Sequence, residues 1–323
     1  MPNLVLNQQH TTLIRDLNGS RLSDKQSVVT IGSFDGVHLG HQAILQQVID
    51  AAKDTNSFAV AMTFEPQPQE FFAAQMAPPR LMRLREKIQA LLAFGVDSVV
   101  CLRFNKDLRR LTAAEFVKNI LVDSLNAKHL IVGDDFRFGC DRRGDFDLLV
   151  KMGQQFGFTV QDTPTVEVKS QRISSTLVRQ LLQESNFKQV SQLLGRPFAI
   201  TGKVTYGQQL GRTLGFPTAN VNLNRFRAPL AGVYGVWVTV EGFDIRLKGA
   251  ANVGVRPTIG GMVKPMLEVH LLNFYQEIYG RRISVEFVHK IRDEQQFTSL
   301  DDLANNISDD VQKIEQWFSK NSI

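Results

Sequence analysis

Near residue 185 the chain changes its period. Before that point short apolar strands alternate with stretches of helical spacing. Val28–Ile31, Phe58–Phe64, Ser98–Leu102 and His129–Val132 read as strands, and a further extended segment starts at Thr159. Between them His41–Ala52, Arg83–Phe94, a segment opened by the capping-box pair Thr112 and Glu115, Asp145–Phe156 and Ser174–Leu182 read as helices. Gly95 and Gly157 stand where a helix ends in a left-handed residue. Such βα alternation predicts an α/β doubly wound parallel sheet, whose ligands bind at the carboxyl ends of its strands. After residue 185 the runs Ala199–Val204, Val233–Val240, Leu267–Leu272 and Ile283–Val288, punctuated by Gly and Pro, predict an antiparallel β-barrel or sandwich. An amphipathic helix, Ser299–Phe318, closes the chain with Leu300, Leu303, Ile307, Val311, Ile314 and Phe318 on one face. At 323 residues and 43% hydrophobic, the chain can bury two cores, and the expected domains are 1–185 and 186–323.

Composition narrows the function classes. The net charge of +5 comes from scattered basic residues, which suits anionic small ligands and does not imply nucleic acid. Cys101 and Cys140 are too few for a disulfide framework or a zinc cage. The segment Met1–Leu17 is polar and mixed, unlike a secretory signal, and no apolar run reaches membrane length. The expected setting is a reducing cytoplasm, with no membrane partner.

The chemistry concentrates in loops at predicted strand ends. Gly32-Ser33-Phe34-Asp35-Gly36-Val37-His38-Leu39-Gly40-His41 lies between a strand and a helix, and its imidazoles His38 and His41 flank Gly40. Backbone amides at a helix start favour anions, imidazoles add donors, and glycines let backbone approach a phosphate. Taken bare, the pattern is about as often a glycine-rich turn with two surface histidines. In Arg172–Arg179, the hydroxyls of Ser174, Ser175 and Thr176 open a helix with Arg179 one turn on, which fits phosphate contacts or an ordinary N-cap. Phe64-Glu65-Pro66-Gln67-Pro68 and Gly133–Gly139, with Asp135 and Phe136, offer aromatics beside carboxylates, suited to a flat ligand or to plain packing.

Together these motifs resemble the nucleotidylyltransferase superfamily. The whole set is similar to the bacterial bifunctional riboflavin kinase/FMN adenylyltransferases, the FAD synthetase family. It comprises 32–45, 64–68, 133–139, 172–179, 194–198, 211–221, 232–237, 252–258, 267–274 and 291–297. Departures are Gln67 and Tyr206, where that family often has His, and Asn273, where it often has Asp.

The resemblance implies a Rossmann-like nucleotidylyltransferase domain followed by a riboflavin kinase barrel. It implies Mg2+-dependent phosphorylation of riboflavin by ATP, then adenylyl transfer from ATP to FMN, giving FAD and pyrophosphate. Riboflavin, FMN, FAD and ATP are the implied partners, with the chain a monomer or weak oligomer. His38 and His41 are assigned to catalysis on the ATP phosphates, with Ser33, Phe34, Gly36, Ser174, Ser175, Thr176 and Arg179 in the same ATP site. Phe64, Asp135 and Phe136 are assigned to its flavin.

In the second half Gly202, Gly207, Gly211 and Gly215 form an expected phosphate loop that lacks the Walker A pattern. With Arg212 and Pro217 it is assigned to the kinase ATP, and Thr218 and Asn220 offer hard oxygens to magnesium. Glu268 alternates in phase with Met266, His270 and Leu272, which fits either a general base or a paired barrel-mouth carboxylate. The family pattern assigns it the base, and assigns Arg292 and Glu294 to the flavin side. An alternative with only one active module requires a broken motif set, and neither set is broken. An aminoacyl-tRNA synthetase, which can also carry HxGH, would need a lysine loop and an anticodon-type domain that this sequence lacks. A non-catalytic flavin sensor would not need His38, His41, Thr218, Asn220 and Glu268 intact.

Overall fold

The computed structural model describes residues 12–15, 17, 22–133, 136–163, 167–168, 171–207, 210–257 and 263–321. It divides into two compact units, one of residues 1–77 and 84–174, the other of residues 78–83 and 175–323.

The first unit carries six strands: β1 (Thr12–Arg15), β2 (Ser27–Ile31), β3 (Phe58–Glu65), β4 (Ser98–Arg103), β5 (Ala127–Val132) and β6 (Thr159–Asp162). Every pairing between them is parallel, in the order β1-β4-β3-β2-β5-β6. A separate two-stranded ladder joins β7 (Glu167–Val168) to β8 (Gln171–Arg172). The central strands are apolar on both faces because helices cover both: Val28, Val29, Val60, Met62, Val99 and Val100 are all buried. The strand order reverses at β2, which lies between β3 and β5. The crevice of such a sheet opens at the carboxyl end of that strand. The loop leaving β2 there is Gly32–His38, and the helix Leu39–Asp54 follows it.

Sequence cues fix most helix ends. Thr112 and Glu115 form the reciprocal capping box, Asp145 caps Phe146–Phe156, and Gly157 closes that helix in the left-handed conformation. One segment winds differently from its α-helical expectation. Phe116–Ser124 is a π-helix, in which the Ser124 hydroxyl donates to the carbonyl of Asn119. The wider turn keeps Phe116, Val117, Ile120, Leu121 and Ser124 buried together.

The second unit is a closed antiparallel barrel rather than a sandwich. Its strands are β9 (Ala199–Thr205), β10 (Thr218–Asn222), β11 (Gly232–Val240), β12 (Arg246–Pro257), β13 (Val263–Leu271) and β14 (Arg282–Arg292), in the closed order β10-β13-β12-β11-β14-β9. In β14, Ile283, Val285 and Phe287 are buried while their neighbours are less so, the period of two expected where one face looks into a barrel. The helices Ser175–Gln183 and Phe187–Leu194 precede the barrel. The helix Leu300–Lys320, capped by Ser299, seats Ile314 and Phe318 against Leu272, Trp237 and Val288. Leu300, expected on that face, is 55% exposed: it opens the first turn, ahead of the part of the helix that meets the barrel.

Residues 78–83 belong to the second unit through arginines. Arg179 Nε donates to the carbonyl of Pro79 at 2.7 Å and Arg225 Nη1 to that of Arg80 at 2.8 Å. Leu81, the next residue, is buried, and its carbonyl accepts from Arg225 Nη2 at 3.4 Å.

Candidate nucleotide and flavin sites

The loop after β2 is held tightly. Phe34 and Val37 both have positive φ, 47° and 41°, a region costly for non-glycine residues and especially for a β-branched one. Both are buried, and Gln42 Nε2 donates to the Val37 carbonyl at 2.9 Å. This conformation delivers His38 to the N-cap of Leu39–Asp54, where its Nδ1 accepts from the His41 N–H at 3.3 Å. The two imidazoles stack with centroids 3.6 Å apart, and Phe34 meets His41 edge-on at 5.3 Å. Residue 40 is closely confined: a Cβ there would meet His38 Nδ1 at 3.2 Å and press on that ring. The same position lies 3.7 Å from the carbonyl of Ile173, so the chain just before Ser174 passes the histidine loop. Gly36 is buried with φ of 87°, and Ser33 is exposed.

Electrostatics set the state of His41. Burial, then His38, then the Lys87 ammonium hold the His41 imidazole well below the ordinary histidine range. His41 Nδ1 is shielded from solvent and has no hydrogen-bond partner among the described residues. A neutral His41 imidazole at a helix N-terminus, with one unsatisfied ring nitrogen, is suited to polar ligand atoms carrying negative charge.

The neighbouring predicted residues are distributed as follows. Phe64 is the last residue but one of β3 and Phe136 follows β5; both are partly buried against the sheet core, with Phe136 stacked on Phe138 at 5.6 Å. Asp135 lies outside the described residues. Ser174 falls in the first unit, while Ser175, Thr176 and Arg179 lie on Ser175–Gln183 in the second.

Two residues near these strand ends escape sequence reading. Thr63, fully buried in β3, has a hydroxyl without a partner among the described residues, although in sequence it looks like an ordinary strand former. Lys87 is fully buried on the helix Leu84–Phe94, although in sequence it looks like a solvated helix charge. The available signal was phase: Lys87 precedes the buried Ile88 by one residue and the buried Leu91 by four.

The barrel holds the second constellation on adjacent strands. Glu268 on β13 is directly opposite Asn220 on β10 and Asn252 on β12, so the three side chains share one face. Asn220 is buried, and its Oδ1 has no partner among the described residues, while its Nδ2 donates to the Thr218 carbonyl at 3.2 Å. A Cβ on Gly207 would lie 2.5 Å from the Asn220 amide, so only glycine lets the backbone cross there. Gly211 and Phe216 close a turn with a 2.7 Å backbone bond, Gly215 takes φ of 85°, and the Pro217 carbonyl lies 2.9 Å from His270 Nδ1. Arg212 lies in the short helix Leu210–Thr213. Gly202 is a correction to the expected loop: it sits inside β9, opposite Ile283, where a Cβ would strike Val221. Its glycine is there for close packing inside the barrel.

Arg292 and Glu294 differ in their engagement. Arg292 Nε and Nη2 grip the buried Asp310 carboxylate, with Nη2 at 2.8 Å, and tie β14 to the C-terminal helix. The Glu294 carboxyl lies against Gly254, two residues along β12 from Asn252, in space that a side chain at 254 would fill.

Comparison with known proteins assigns the two halves separately. The FAD synthetase family model matches residues 20–177 and the riboflavin kinase family model residues 194–318. A Pseudomonas fluorescens protein described as bifunctional riboflavin kinase/FMN adenylyltransferase is 51% identical over 93% of this chain and 95% of its own length. An Escherichia coli K12 protein of the same description is 48% identical over 95% of this chain and 97% of its own length. A solved Streptococcus pneumoniae structure, described as a macrolide-efflux protein, matches with a TM-score of 0.75 and 31% identity over 95% of this chain and 99% of that one. Among the described residues of this chain no helix is long and apolar enough to cross a membrane.

Proposed function

The chain belongs to the bifunctional riboflavin kinase/FMN adenylyltransferase family, and on that premise we propose how its residues divide the two reactions. The enzyme phosphorylates riboflavin with ATP to FMN and transfers the adenylyl group of a second ATP to FMN, giving FAD and pyrophosphate. The observation that carries the division is the separation of two intact constellations, His38 with His41 on a parallel sheet and Asn220 with Glu268 on a closed barrel.

For adenylyl transfer, an FMN phosphate oxygen attacks the α-phosphorus in line, a P–O bond forms, and the bond to pyrophosphate breaks. Little covalent work falls to the protein, so rate comes from positioning and charge stabilisation. We assign that role to His38 and His41, with Ser33, Phe34 and Gly36 shaping the loop and Ser174, Ser175, Thr176 and Arg179 adding phosphate contacts. Because that last segment serves the first reaction, residue 185 is the functional boundary we adopt. Phe64, Asp135 and Phe136 are our assignment for the flavin.

For phosphoryl transfer, Glu268 takes the proton of the ribityl hydroxyl as it attacks the γ-phosphorus and ADP leaves. Gly207, Gly211, Arg212, Gly215 and Pro217 hold ATP; Gly202 contributes by packing. Thr218 and Asn220 fit Mg2+: a hydroxyl and a buried carbonyl oxygen without a protein partner are hard donors for an ion that keeps phosphate and water ligands. When bound, Mg2+ would neutralise charge on the phosphates. Glu294 faces the flavin side, and Arg292 holds the C-terminal helix that backs it. Cys101 and Cys140 form no disulfide; we assign the chain to a reducing cytoplasm, as a monomer or weak oligomer.

The test is incubation with riboflavin, ATP and magnesium, resolving the flavins by chromatography. FMN appearing first and FAD after it is the expected outcome; neither product forming contradicts the reading.

A further inference from the structure

Irregular backbone is secure only where its polar groups find partners. Residues 78–83 leave the first unit after Ala77 and return to it at Leu84, yet they cluster with the second. Pro78 and Pro79 stiffen this strap and bring no N–H of their own. Its next backbone acceptors are taken by two arginines. Arg179 Nε donates to the carbonyl of Pro79 at 2.7 Å, Arg225 Nη1 to that of Arg80 at 2.8 Å and Arg225 Nη2 to that of Leu81 at 3.4 Å. Leu81 and Arg225 are both buried. Further along, Arg196 Nη2 lies 3.7 Å from Met82 Sδ, and Arg83 Nη1 donates at 3.5 Å to the carbonyl of Asn222, the last residue of β10. Neither Arg179 nor Arg225 falls within residues 20–177, which the FAD synthetase family model matches, and Arg225 falls within the riboflavin kinase match.

We propose that Arg225 is a positioning residue for adenylyl transfer: it grips the carbonyls of Arg80 and Leu81 and so holds the strap whose Pro79 carbonyl orients the Arg179 guanidinium. A guanidinium is a rigid planar fork, so a bond at Nε sets the directions of its other N–H groups. An arginine side chain is otherwise rich in rotamers, and ordering it before ATP arrives lowers the cost of binding. A residue of the kinase half thereby serves the other reaction without touching its substrates. The inference rests on the assignment of Arg179 to the ATP phosphates.

The deciding variant is Arg225→Met in the full chain, assayed for FAD formation from supplied FMN, ATP and magnesium and for FMN formation from riboflavin. Arg225→Met is expected to raise KM for ATP in FAD formation about tenfold, the scale of losing charge-assisted hydrogen bonds, with kcat changed less. KM and kcat for FMN formation are expected to stay unchanged, which a merely damaged barrel would not allow. The route is read from a double variant: Arg179→Met with Arg225→Met should be no worse than Arg179→Met alone, because the strap acts through that guanidinium. An unmoved KM for ATP in Arg225→Met, or losses that multiply in the double variant, overturn the proposal. Should Arg225→Met fail to fold, Leu81→Ala loosens the strap from its own side. The same rise in KM with FMN formation intact then supports the proposal, and any other pattern overturns it. Arg179→Met also keeps the underlying assignment separate. Normal FAD formation in Arg179→Met removes that assignment itself, whereas a loss there beside an unmoved Arg225→Met removes only the role of Arg225.

Discussion

At the scale of single residues, the most informative contrast is between His41 and Asn220. Both carry a buried polar atom without a protein partner among the described residues, and each lies in the constellation we assign to one reaction. His41→Ala is expected to lower FAD formation by at least about a hundredfold, the scale of losing one preorganised donor, while leaving FMN formation intact; paired assays of the two products check this. Gly207→Ala would push a Cβ onto the Asn220 amide, so FMN formation should fall about tenfold or more while FAD formation from FMN persists. The depressed His41 also has a pH signature. Above about pH 6.5 the group is neutral both folded and unfolded and contributes nothing. As pH falls below that value the unfolded chain takes up a proton that the folded loop refuses, so the first unit loses stability progressively toward the lower folded-state value. Urea titrations at pH 7.5 and pH 5.5 should show the loss, and equal midpoints would contradict it. The histidines and glycines of these candidate sites were legible through the combination of motifs, since the histidine pattern taken bare is about as often a plain glycine-rich turn. Lys87 and Thr63 were not, because their meaning lies in burial by distant segments.

At the scale of elements, the C-terminal helix is the clearest test of packing. Phe318 and Ile314 are buried against Trp237 and Leu272, while Arg292 fixes the same helix through Asp310. Phe318→Ala should cost about 3–5 kcal/mol through lost burial and the cavity left behind, measurable as a lowered denaturation midpoint of the second unit; a change under about 1 kcal/mol would mean the helix is not packed as described. Periodicity revealed β2 to β5, the start of β6 and this helix because each buries one consistent face or both, and it missed the short strand β1. It missed β10 and β12, whose Asn, Gly and Thr residues read as turn formers. In the barrel those residues sit where another side chain lies close against the backbone, as Glu294 does at Gly254, or on the face that Asn220, Asn252 and Glu268 share. The π-helix Phe116–Ser124 was illegible for a related reason: its apolar spacing suits an α-helix, and packing on the sheet selects the wider turn.

At the scale of the whole molecule, two folds with different periods carry two reactions that share FMN. The change of period near residue 185 was visible in sequence, whereas the attachment of residues 78–83 to the second unit was not, because it depends on arginines far along the chain, Arg179 and Arg225. The central claim is that the two reactions use separate catalytic groups, with Glu268 committed to one product and His41 to the other. It is tested most directly by giving riboflavin, ATP and magnesium to Glu268→Gln, to His41→Ala and to an equal mixture of the two, and resolving the flavins by chromatography. The account predicts unreacted riboflavin from Glu268→Gln, FMN without FAD from His41→Ala, and FAD from the mixture, because FMN released by one variant is adenylylated by the other. FAD absent from the mixture, or FMN absent from His41→Ala, would contradict it.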